Sequence, residues 1–184
     1  MHQEDDDIKI ATGSFAHRQA DSDEEAVRQF LTQKNSGNIE KARLLGELYA
    51  DVLVKNARSP VFACEKNLMQ LEHHHRLLLY SFIVNRVIAE NSPNSILAQT
   101  SLNVFYSEIE KVSPELHRHV CDMAAFSLYI LCERSPNRGD EEFGAIYAGL
   151  CGFGGHEDII AEGNAFYKKA YDFCTDKIKA VHYE

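Results

Sequence analysis

The chain is predicted to fold as an all-α, single-domain bundle of about seven helices with two buried central helices. Three observations predict it. All four prolines directly follow a serine, at Ser59-Pro60, Ser92-Pro93, Ser113-Pro114 and Ser135-Pro136, each where one helical pattern stops and another starts. A serine hydroxyl accepts from a free amide at a helix start, proline suits the first helical position, and the residue before proline is driven out of the α region. No stretch alternates with period two, and no Asn-Gly hairpin signal occurs. Finally, two segments are apolar on every face, which requires other helices around them.

The elements follow in order. Residues 1–20 read as an acidic, flexible arm ahead of a helical domain spanning 21–184. Ser22 followed by Glu25 fits a capping box for a first helix ending near Asn35-Ser36-Gly37. A second helix is expected from Asn38 to Arg58, with Leu44, Leu45, Leu48, Val52 and Leu53 inward. The segment from Pro60 to Asn91, with a bend near Asn67, contains the first inner stretch, Leu77 to Ile88. Residues Asn94 to Lys111 form an amphipathic helix burying Ile96, Leu97, Leu102, Phe105, Tyr106 and Ile109. Pro114 to Arg134 is read as the second inner helix. Asp140 caps a short helix to Leu150, and a last helix runs from Glu157 to about Val181.

With 184 residues, 45% of them hydrophobic, one domain can bury a sizeable core. The Leu77–Ile88 run is interrupted by Ser81, Asn85 and Arg86 and is shorter than a bilayer requires, so no membrane span is expected. No basic and apolar leader opens the chain, and the expected compartment is cytoplasmic. Five cysteines, Cys64, Cys121, Cys132, Cys151 and Cys174, lie far apart without a C-x-x-C pair and read as reduced core thiols. The net charge of −9 is concentrated at the start: residues 1–25 hold eight acids against Lys9 and Arg18. No basic stripe follows, so no nucleic-acid partner is expected.

The Gly163–Lys169 string, Gly-Asn-Ala-Phe-Tyr-Lys-Lys, and Leu45-Gly46 with Tyr49 resemble fragments of the tetratricopeptide repeat. The turn such a repeat needs after Lys169 is missing, Pro60 would fall inside its second helix, and the Ser-Pro pairs keep no period. Helix pairing without repeats is therefore the expectation.

A few side-chain clusters carry the chemical alternatives. Glu72 and His75, three apart on one helix, can share a metal ion, although the second E-x-x-H that a di-iron bundle needs is absent. His117 with Cys121, and His119 with Asp122, have comparable spacing. Arg86 stands inside an apolar helix, where its charge needs a partner. Either a carboxylate such as Glu108, Glu110 or Glu133 satisfies it, or its aliphatic stem carries the charge out to solvent, or it clamps an anionic ligand in a pocket walled by Tyr80 or Tyr129. The glycines at 144, 149, 152, 154 and 155 lack a G-K-[ST] ending and precede Glu157 and Asp158, so they read as close helix approach at Gly144 and Gly149 and a corner at 152–155. No common catalytic signature is present.

The functional expectation is a non-enzymatic protein that acts by self-association, most economically as a homodimer, or by binding another protein, with no cofactor. Phe166-Tyr167 and Tyr171 to Phe173 are its expected surface, unless the last helix is used as core with Phe166, Tyr167, Ala170, Phe173 and Cys174 inward, which would leave no exposed patch there. The alternative is an anion- or metal-binding bundle using Arg86 and Tyr80, or Glu72 and His75.

Overall fold

The computed structural model describes residues 12–58, 70–134 and 142–184, with side chains over 24–57, 74–134 and 142–184. Their regular structure is entirely helical: α1 (Thr12–Asn35), α2 (Asn38–Arg58), α3 (Gln70–Asn91), α4 (Ser95–Val112), α5 (Pro114–Val120), α6 (Met123–Glu133), α7 (Glu142–Leu150) and α8 (Glu157–Lys179). The eighth helix arises because the expected 114–134 helix is two.

The α1 helix begins at Thr12, ten residues ahead of the expected cap, so Ser22 and Glu25 lie within it. Ala16, Arg18, Gln19 and Ala20 favour helix, and no proline interrupts them. Gly37, at φ +77°, turns the chain into α2. Asn38 then holds the corner: its amide donates to Gln33 Oε1 at 2.8 Å and to the Glu184 carbonyl at 2.7 Å, and its Oδ1 accepts from the Glu184 amide at 3.0 Å. The segment after α8 is thereby pinned to the α1–α2 turn.

The expected span of α2 holds, but its inward face is Ala42, Leu45, Tyr49, Ala50 and Leu53, whereas Leu44 and Leu48 are exposed. Gly46 sets this rotation. It lies against α4 so closely that a Cβ there would overlap the Ser101 carbonyl oxygen. Beside it the buried Ser101 hydroxyl donates to the Ala42 carbonyl at 2.9 Å.

The expected inner helix is α3, with Leu77–Tyr80, Phe82–Val84, Val87 and Ile88 all buried. It packs on α2, α4, α5, α6, α7 and α8. The second inner segment is buried along one face only. Asp122 breaks it: the carboxylate accepts from the Ala124 and Ala125 amides at 3.0 and 3.3 Å and starts α6 as a new helix. Val120, Ala125, Tyr129 and Cys132 point inward, while Met123, Ala124, Leu128 and Leu131 are exposed.

Two of the Ser-Pro pairs fall within the described residues. Ser113 caps α5, accepting from the Leu116 amide at 3.2 Å, with Pro114 at the first turn as expected. At Ser92-Pro93 the cap falls on Asn94, whose Oδ1 accepts from the Leu97 amide at 3.1 Å. Ser59-Pro60, Ser135-Pro136, the Asn67 bend and the Asp140 cap lie outside the described residues. Gly144 is a close-approach glycine, since a Cβ there would run into Asn164 and the Ile160 carbonyl of α8; its amide donates to Asn164 Oδ1 at 2.7 Å. Gly149 has open space around it, contrary to expectation. Gly152 and Gly155, at φ +81° and +84°, make the corner into α8. That last helix runs unbroken through Lys169, so no repeat turn follows the Gly163 string.

Candidate functional site

Both arginines of α3 are drawn into protein-made pockets. Arg86 comes from the helix face turned toward α6, α7 and α8, and its guanidinium meets two carboxylates: Glu90 Oε1 at 2.8 Å and Glu133 Oε1 at 3.1 Å. Nη1 also donates to the Tyr167 hydroxyl. The rings of Phe143, Tyr167 and Tyr171 stand 5.4 to 5.9 Å from its central carbon. Tyr171 closes the arrangement by donating to Glu90 Oε2 at 2.6 Å. An otherwise costly charge is thus compensated by charge, hydrogen bonds and aromatic quadrupoles together. Of the three glutamates named from the sequence, Glu133 is the partner.

Tyr80, the expected wall of an Arg86 pocket, lies elsewhere. It is buried beside the Cys174 thiol and near Tyr49, and burial pushes its phenol well above the ordinary range. Tyr49 donates to the Cys174 carbonyl at 2.7 Å in the same neighbourhood. Tyr129 is stacked on Phe82 and likewise raised by burial. The aromatic wall around Arg86 is supplied instead by α7 and α8.

Arg76 was missed in the sequence because it adjoins the apolar run instead of interrupting it. It is buried, forms an ion pair with Glu162 of α8, donates from Nε to the Tyr147 hydroxyl at 3.2 Å and lies 5.8 Å from the Phe166 ring. The one available signal was a charged residue immediately before twelve mostly apolar ones, a weak cue without the facing α8 residue.

The candidate histidines sit on α3 and α5, which pack together. His74 stacks on His119 with ring centroids 4.5 Å apart, and His117 Nε2 lies 3.5 Å from Cys121 Sγ. His75 is part-buried, and burial lowers its pKa, with His74 adding to the shift and Asp122 opposing it. The Glu72 side chain lies outside the described residues, so the Glu72–His75 pair does too. Among the described residues no three His, Cys, Asp or Glu side chains converge as metal ligands. Two of the thiols are poor nucleophiles as placed: burial pushes Cys174 up to about 12 and also raises Cys121.

The aromatic stretch expected to face a partner is core. Phe166, Tyr167, Ala170 and Cys174 are buried, and Tyr171 and Phe173 pack partly against them. The uncovered large apolar side chains among the described residues belong to other helices: Met123, Leu128 and Leu131 on α6, Val27, Phe30 and Leu31 on α1, Leu44 and Leu48 on α2, and Val112 at the end of α4. No described helix is long and apolar enough to cross a membrane. Comparison with protein family models, with curated proteins and with solved structures returned no match.

Proposed function

We propose that the protein works by association, with itself or with another protein, and carries out no chemistry of its own. The outward face of α6 carries this reading. Met123 and Leu131 are 69% and 65% exposed, Leu128 adjoins them, and Ala124 and Ser127 fill the space between without a charge. An uncharged apolar strip over two helical turns costs hydration in the free protein and fits a surface that is covered in use. Support also comes from the interior, where the arginine best placed for an anion is already held by Glu90, Glu133 and Tyr167.

Native mass spectrometry of untagged protein tests the reading in one spectrum. Association predicts a multimer mass, or a co-purified polypeptide whose retention on α6 Leu128→Asp with Leu131→Asp weakens. Retention of a stoichiometric metal or metabolite by a monomer would instead support the ligand-binding alternative and overturn the proposal.

A further inference from the structure

A second surface favours a specific partner. The α1 helix is 24 residues long, and α2 is the one described element against which it packs substantially. Isolated helices are marginal in water and owe most of their stability to a packed face. Yet Val27, Phe30 and Leu31 of α1 are all exposed.

The spacing along this face is informative. Glu24, Val27, Leu31 and Lys34 succeed one another by three, four and three residues, the seam of a two-helix coiled coil. A parallel, in-register pair would set Glu24 against Glu24 and Lys34 against Lys34. Reversing one helix places Val27 against Leu31 and Glu24 against Lys34, each pair occurring twice about a dyad level with Gln29. Phe30 flanks the apolar centre, and Arg28 sits at the edge within 3.8 Å of its own Glu24. The face is therefore self-complementary in apolar shape and in charge for one orientation only.

We propose that α1 docks on α1 of a second copy as an antiparallel pair, with Val27 and Leu31 at its centre and Glu24 paired to Lys34 of the other chain. This inference rests on the association reading but uses a surface separate from α6. The homodimer is then built by α1, and the α6 strip remains outside it.

The test is sedimentation equilibrium of the full chain across a concentration series, with far-UV circular dichroism confirming the fold. All four positions are exposed, so their variants should fold as the wild type does. The wild type is expected to dimerise. Val27→Asp with Leu31→Asp should raise the dissociation constant about a hundredfold or more, because four apolar side chains leave the interface. Glu24→Lys or Lys34→Glu alone should raise it about tenfold by juxtaposing like charges. The double exchange, Glu24→Lys with Lys34→Glu, should return it close to the wild-type value. A wild-type monomer at the highest concentration, a dimer indifferent to the aspartates, or a charge exchange no better than its single changes would each overturn the proposal. Loss of the dimer in Leu128→Asp with Leu131→Asp would move self-association to α6, sinking this inference while keeping the association reading.

Discussion

Gly46→Ala should destabilise the protein by about 2 kcal/mol, even though alanine is the better helix former. A Cβ at this position would overlap the Ser101 carbonyl oxygen and stand 3.0 Å from Val104 Cβ and 3.1 Å from Phe105 N. Backbone atoms of α4 cannot rotate away as a flexible side chain would, so α2 and α4 must separate. Overpacking of this kind costs about 1–3 kcal/mol. The separation also stretches the buried Ser101–Ala42 hydrogen bond, which contributes about 1 kcal/mol. Against these stands a gain of about 1 kcal/mol in helix propensity. The balance lowers the melting temperature by about 4–8 °C for a chain of this size. Urea unfolding followed at 222 nm measures it, with Gly149→Ala as the control. That glycine has open space around it, so alanine there should stabilise by up to about 1 kcal/mol. Equal or greater stability of Gly46→Ala would refute the argument that this glycine sets the α2–α4 distance.

Two further predictions concern α3. Arg86→Met removes the cation shared by Glu90 and Glu133 and the donor to Tyr167; with both carboxylates partly exposed and solvent-screened, the loss should be about 1–3 kcal/mol by urea unfolding, and an unchanged midpoint would refute a structural role. Because burial holds His75 below the ordinary histidine value of 6.5, the unfolded chain takes up a proton there before the native state does. Its stabilising contribution is full above pH 6.5 and declines as pH falls from 6.5 toward the lower native value. His75→Gln should flatten that part of the urea-midpoint profile, and an unaltered slope would assign the decline to other groups.

The legibility of the chain divides along the distance over which each signal acts. The α2 span, the cap at Ser113 with Pro114, and the apolar Leu77–Ile88 run were all readable because local chemistry decides them: a hydroxyl beside free amides, a ring that fixes φ, an apolar surface on every side of a helix. The glutamate partner of Arg86 was readable as one of three, since an embedded guanidinium demands a carboxylate without saying which helix supplies it. The break at Asp122 was also local, but the surrounding apolar residues concealed it: its carboxylate caps the Ala124 and Ala125 amides and turns one expected inner helix into two.

What the sequence by itself determined is the helical class, the principal corners and the residues needing compensation, because each follows from a few neighbouring side chains. Only the tertiary structure decided which faces remain wet. Leu44 and Leu48 were turned outward by a glycine touching a carbonyl 55 residues away, Phe166 and Tyr167 were drawn inward to cover two arginines, and α6 and α1 kept apolar strips exposed. Periodicity marks a side chain as apolar; what lies opposite it depends on how the helices cross, and that geometry emerges from long-range packing.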